Sequence, residues 1–231
     1  MSPANAVAAK PIRRQKEAPL VDVILERLER MILNGEFAAG SKLNEHTLSQ
    51  QFGVSRSALR EAARLLQRSG LVEIEAGRGV LVRKIGVRQA MDLFDVRAGF
   101  ARSAGRLAAR RATEDQITDL KDLHKKMVAC RAKLDFKQYV ALNAKFHDIL
   151  YEAAANERLT LLNEMISNEL QLFHRINMAR APHLDISIQE HARILEYLEQ
   201  RDGEKTAKAF ERHILQGRQR MLDVIPASLR D

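Results

Sequence analysis

The sequence predicts a mainly α-helical protein in which an N-terminal winged helix-turn-helix precedes an all-α antiparallel helical bundle. Three observations carry that expectation. Residues 20–85 read as helix, helix, tight turn, helix and glycine-tipped hairpin, the chain from about Val87 onward has only amphipathic helical periodicity, and the positive charge is concentrated at the front. At 231 residues, 45% of them hydrophobic, the chain is long enough for two small cores.

The front half is justified element by element. Residues 1–19 are rich in Ala and Pro, carry Lys10, Arg13, Arg14 and Lys16, and lack apolar periodicity, which predicts a flexible basic arm. Over Leu20–Leu33 the residues Val21, Ile24, Leu25, Leu28, Met31 and Ile32 recur at three and four, the signature of one helix face, and Asn34-Gly35 ends it. Glu36–Ser41 reads as a turn, and Asn44 is placed to cap a short helix to about Gln51. Phe52-Gly53-Val54-Ser55 is a tight turn whose serine caps the next helix, Arg56 to about Ser69, stopped by Gly70. Two β-prone runs, Leu71–Ile74 and Val80–Val82, flank Gly77-Arg78-Gly79 and predict a hairpin. The resulting module spans residues 20–85.

The bundle, residues 86–225 before a short tail 226–231, reads as six helices: Val87–Arg111, Glu114–Ala132, Phe136–Ala154, Glu157–Arg180, Ile186–Arg201 and Gly203–Val224. Thr113 with Gln116 forms a capping box, Asn156 and Asp202 are caps, and Pro182 ends the fourth segment. Short links between long amphipathic helices favour antiparallel neighbours.

Charge and cysteine usage narrow the function. Residues 1–85 hold 14 Lys and Arg against 9 Asp and Glu, whereas residues 86–231 hold 24 against 21. A basic front module suits a polyanion, nucleic acid before a membrane surface. The single Cys130 excludes a disulfide framework and fits a reducing, cytoplasmic setting. No stretch approaches the roughly 20 apolar residues of a membrane span, and the basic start is followed by no apolar segment of a signal peptide, so no membrane partner is expected.

In the helix from Arg56, the side chains of Arg56, Arg60, Arg64 and Arg68 form a cationic stripe opposite Leu59, Ala62 and Leu66. Residues near the start of such a helix reach base edges, so Ser55, Arg56, Ser57 and Arg60 are the contact candidates, with Gly77, Arg78 and Gly79 at the wing. Arginine suits both tasks, through its planar fork and its permanent charge. Arg64 and Arg68 fit a solvated helix face better. These segments, Gly35 to Glu45, Phe52 to Ala62, Gly70-Leu71-Val72 and Gly77 to Val80, closely resemble the GntR family of bacterial transcription regulators over about residues 20–83. The resemblance implies that Arg56 and Arg60 read the major groove of double-stranded DNA while the wing approaches the minor groove. Where a family member has a further DNA-contacting arginine on the preceding helix, this chain has His46.

In the bundle, three histidines fall on apolar stripes of three helices: His147 with Val140, Asn143 and Leu150; His191 with Ile188, Leu195 and Leu198; His213 with Ala209, Phe210 and Gly217. One such histidine is ordinarily a satisfied core residue, but three facing inward from different helices suggest metal ligation. Asn143, one turn before His147, adds an oxygen ligand. The set suits a divalent transition metal, zinc first, then nickel, manganese or iron. His46, His124 and His183 receive the bland reading, and His174, on a face with Ile166, Leu170 and Asn177, is a candidate effector-pocket residue.

This half resembles the FadR C-terminal (FCD) ligand-binding domain over about residues 87–223. The matching pieces are Asp95-Val96-Arg97 with Leu107-Ala108-Ala109, Asn143 to His147, Ala153 to Asn156, Glu190-His191 with Ile194-Leu195, and Ala207 to His213. The six-helix count is similar to the VanR-type subgroup. The resemblance implies a metal site in which many members have Asp where this chain has Asn143, and an acid where it has Ala101. It also implies a small carboxylate effector, for which an inward Arg97 is the anion-binding candidate. The leading expectation is a homodimeric, metabolite-responsive repressor on a palindromic operator. The competing class is a metal-dependent hydrolase with an accessory nucleic-acid module; against it stand the missing His-Glu-x-x-His motif and the absence of an evident general base.

Overall fold

A computed structural model describes residues 19–177 and 184–225, with the side chains of 174–177 and 224 outside the described set. The basic arm apart from Pro19, the tail, Pro182, His183 and the stretch to Arg180 lie outside the described residues, as does the side chain of His174. The chain divides into two compact units, one of residues 1–86 with 165–176, the other of 87–164 with 177–231.

The N-terminal unit runs α1 (Leu20–Asn34), β1 (Lys42–Leu43), α2 (Glu45–Phe52), α3 (Arg56–Arg68), β2 (Val72–Glu75) and β3 (Gly79–Val82). Its core is the apolar stripe read from the sequence: Ile24, Leu28 and Ile32 of α1 close on Phe52, Leu59, Leu66 and Leu71, all at most 2% exposed. Leu172 joins that core from the segment that groups with this unit. The expected two-stranded hairpin is a three-stranded antiparallel sheet of order β1-β3-β2. Lys42 and Leu43 pair with Leu81 and Val80, and Gly40 N–H donates to the Val82 carbonyl at 2.8 Å. Two residues on a sheet edge carry no alternation of their own, so only the partner strand reveals them.

The bundle contains α4 (Val87–Arg111), α5 (Glu114–Ala132), α6 (Phe136–Ala153), α7 (Glu157–Asn177), α8 (Leu184–Glu199) and α9 (Gly203–Val224). The caps act as read: Thr113 and Gln116 form a reciprocal box, Asn156 Oδ1 accepts from Leu159 N–H, and Asp202 Oδ1 accepts from Lys205 N–H. Helix α8 starts two residues earlier than expected because Asp185 in its first turn is held by a bidentate pair with Arg131 of α5, both contacts 2.8 Å. It also ends two residues earlier, since Arg201 takes a left-handed backbone conformation, φ 55°, and its guanidinium reaches back to the Ala112 carbonyl.

One seam sets the spacing of the bundle. Helix α4 is lined with Ala98, Ala101, Ala104, Gly105, Ala108 and Ala109, all buried, and packs along α9. A Cβ on Gly105 would meet Ala207 Cα and the Thr206 carbonyl oxygen at 3.0 Å, so the two backbones are already in contact. Ala101 sits fully buried on this stripe.

Candidate nucleic-acid interface and histidine cluster

In the N-terminal unit α2 and α3 are separated by Gly53, whose positive φ of 68° ends α2. Ser55 then caps α3 by accepting from Ala58 N–H at 3.2 Å, and its hydroxyl also meets the Ser57 hydroxyl at 3.0 Å. The helix is two-faced: Leu59, Ala62, Ala63 and Leu66 are buried, while Ser55, Arg56, Ser57, Arg60, Arg64 and Arg68 are exposed. Arg56 Nη2 donates to His46 Nδ1 at 2.5 Å, and Arg60 Nε lies 3.8 Å from Glu45, so both arginines lean toward the start of α2. Arg64 is held by Glu61 of its own helix at 2.9 Å. Between β2 and β3, Gly77 and Gly79 adopt positive φ of 78° and 92°, and exposed Arg78 between them pairs with Glu75 at 2.6 Å. Exposed pairs of this kind are worth at most about 1 kcal/mol, so exchanging them for a phosphate costs little.

In the bundle, one ring nitrogen from each of His147, His191 and His213 lies within 4.8 Å of the other two. His147 Nε2 is 2.9 Å and His191 Nε2 3.1 Å from His213 Nε2, and all three residues are at most 4% exposed. Phe146 packs on the His191 ring, centroids 4.6 Å apart, and Phe210 on His147 at 5.5 Å. Burial pushes the pKa of His147 and His191 well below the ordinary value, with help from the neighbouring imidazole of His213. His213 is lowered too, by burial, with the Glu190 carboxylate opposing. Three uncharged imidazoles therefore face one point.

The surroundings add residues that the sequence reading passed over. Glu190 Oε2 accepts from His213 Nδ1 at 2.6 Å, and Arg220 grips both oxygens of Glu190 at 2.9 and 3.0 Å. Burial would raise the Glu190 carboxyl, but the bonds from His213 and Arg220 outweigh it and hold it below its usual value. Glu190 precedes a stripe residue and so lies off the apolar face by sequence. Arg220 shares a face with His213, seven residues earlier, yet a lone cation near a helix end is ordinarily solvated. Arg97 is mid-helix, and its Nη2 lies 3.4 Å from His147 Nδ1. Among the described residues its enclosed Nε has no hydrogen-bond partner, and burial lowers its pKa against the opposing effects of Tyr151 and Asp148. Asn143 is partly buried one turn before His147. His124, expected to be an ordinary structural histidine, meets the Ile188 carbonyl oxygen through Nε2 at 3.1 Å.

A winged helix-turn-helix unit followed by an all-helical bundle defines a class of bacterial transcription regulator. Residues 20–82 match the model of the bacterial regulatory proteins of the gntR family, and residues 92–216 match the FCD domain. The chain belongs to the gntR family of regulators that carry an FCD domain. It is 28% identical over 201 residues to the HTH-type transcriptional regulator YdhC of Bacillus subtilis, covering 87% of this chain and 88% of that one. It is equally 28% identical over 200 residues to the HTH-type transcriptional repressor RspR of Escherichia coli, covering 85% and 86%. The solved structure of E. coli McbR/YncC shares its fold, with TM-score 0.75 and 20% identity over 89% of this chain and 98% of that one. The protein is thus a DNA-binding transcription regulator and not an enzyme, which removes the hydrolase alternative. Among the described residues no helix is long and apolar enough to cross a membrane.

Proposed function

We propose that the protein is a cytoplasmic, homodimeric repressor that reads a palindromic operator and responds to a small carboxylate sensed in the bundle beside a bound metal. Ser55, Arg56, Ser57 and Arg60 would meet base edges and phosphates, with Gly77, Arg78 and Gly79 at the flanking groove. The observation that carries the sensing half is the convergence of three buried, uncharged imidazoles on one point.

That donor set fits a borderline divalent ion: imidazoles uncharged at neutral pH are nitrogen donors of the kind such an ion takes, and among the described residues His191 Nδ1 has no hydrogen-bond partner that would fix its ring for another role. His147, His191 and His213 would hold the ion, with the Asn143 amide as a weaker fourth ligand than the carboxylate of many family members. Zinc suits the set first, with nickel, manganese or iron as the other candidates. When bound, the ion supplies a Lewis-acid anchor for an anionic effector. Arg97, a cation at the edge of the cluster whose Nε has no hydrogen-bond partner among the described residues, would take the effector's carboxylate, whereas His174 falls in the segment 165–176 that groups with the N-terminal unit and drops out of the pocket.

Elemental analysis of the purified and reloaded protein, with operator binding followed in parallel, tests the reading. Stoichiometric transition metal in the wild type, lost in His147→Ala/His213→Ala with the winged unit still folded, is the expected result. A wild type that takes up no transition metal removes the metal from the proposal. Footprints spread evenly over unrelated DNA would remove the operator.

A further inference from the structure

We propose that Glu190 is a positioning residue for the histidine cluster: it keeps the ring proton of His213 on Nδ1 and so keeps Nε2 a bare lone pair at the centre of the cluster, with Arg220 locking Glu190 in place. The inference deepens the metal reading above and rests on it only for its zinc measurement.

The contacts are largely buried. The side chains of His213, Glu190 and Arg220 are 5%, 12% and 16% exposed, so water competes little for their hydrogen bonds. An ionised carboxylate only accepts, so the 2.6 Å contact requires the hydrogen to sit on His213 Nδ1. A neutral imidazole has a single ring proton, and Nε2 of His213 is then unprotonated. That nitrogen is the one both other histidines approach, at 2.9 and 3.1 Å. His191 has no such partner on Nδ1 among the described residues, so of the three rings only His213 is oriented by a carboxylate.

Arg220 is part of the device because a lone carboxylate could rotate. Its fork takes Oε1 and Oε2 together, fixing the plane in which Oε2 faces the imidazole. The contact also ties α8, which carries Glu190 and His191, to α9, which carries His213 and Arg220. Carboxylate partners of this kind set the tautomer and raise the basicity of a ligating imidazole, and losing one weakens metal affinity about 10- to 100-fold.

The test uses the full-length protein, with ring tautomers read by long-range ¹H–¹⁵N correlation of histidine-labelled, metal-free samples and zinc affinity by competition with a chelating indicator. In the wild type, His213 carries its proton on Nδ1. Glu190→Gln offers an amide that cannot satisfy both His213 and Arg220, so the tautomers mix and zinc binds about 10- to 100-fold more weakly. Arg220→Gln, which leaves the carboxylate in place, shifts both readouts in the same sense by less, and carries the test if Glu190→Gln fails to fold. A wild-type His213 protonated on Nε2, or a folded Glu190→Gln with unchanged tautomer and zinc affinity, overturns the proposal. A wild type that binds no zinc overturns the metal reading alone, since the tautomer measurement still decides the role of Glu190.

Discussion

Acidification from pH 7.5 to 5.5 in the presence of a chelator should destabilise the bundle selectively, because three imidazoles are folded into it uncharged. In the unfolded chain each titrates near its ordinary value of about 6.5; in the folded protein His147 and His191 titrate well below it and His213 below it. Between those values the unfolded state binds protons that the folded state refuses, so stability is full above about pH 6.5 and falls as the pH drops. A histidine that stays uncharged in the folded state costs about 1–2 kcal/mol at pH 5.5, so two to three cost roughly 3–4 kcal/mol, a large part of an ordinary domain's roughly 5–15 kcal/mol. Glu190 has a lowered pKa and loses its stabilising contribution only in more acid solution, while Asp148, raised by burial, gains protons in the folded state and acts in the opposite direction. The assay is urea unfolding followed by tyrosine fluorescence, which reports the bundle because Tyr139, Tyr151 and Tyr197 all lie in it. Replacing His191 by Gln should remove between a third and a half of the pH dependence. Equal stability at pH 5.5 and 7.5, or a slope untouched in that variant, would show that the rings charge freely in the folded state and refute the argument.

Two further expectations concern the winged unit and the helix seam. Arg56→Ala and Arg60→Ala should each weaken operator binding by about 1–3 kcal/mol in fluorescence anisotropy with loss of base preference, whereas Arg78→Ala should weaken all sequences alike; equal losses on random DNA for Arg56→Ala count against base reading. Gly105→Val should destabilise the bundle by about 1–3 kcal/mol in the same tyrosine assay, since its Cβ already meets Ala207 Cα at 3.0 Å, while Gly99→Ala, with open space around it, should gain up to about 1 kcal/mol; reversal of that order would refute the close-contact seam.

The fold was legible where a local signal coincided with a tertiary one. The bounds of α4, α5 and α9 follow from apolar periodicity, with caps such as Thr113 and Asp202 closing the choice for α5 and α9, and the convergence of His147, His191 and His213 follows from the stripes that turn each of them inward. Strand β1 was not legible, being two residues whose only strand character is a pairing with Val80 and Leu81, nearly forty positions away. Glu190 escaped for a related reason: its stripe position says solvent, and only the approach of α9 makes it a buried partner of His213 and Arg220. Periodicity reports which way a side chain leaves its helix, but not what the neighbouring helix brings to meet it.

The small-residue seam and the histidine cluster belong to one design. Arg97 is on α4 and His213 on α9, and the two helices touch backbone to backbone at Gly105 and Ala207, two turns from those residues on each helix. Helices separated by long side chains can slide as rotamers change; helices in backbone contact have little such freedom. The seam therefore fixes the distance between the guanidinium that meets His147 and the imidazole that Glu190 orients, leaving α8 tied to α9 through Glu190 and Arg220. A ligand that displaced Arg97 or withdrew His213 from Glu190 would act against that frame, and its binding energy would pass to helix positions instead of being absorbed by side-chain rearrangement.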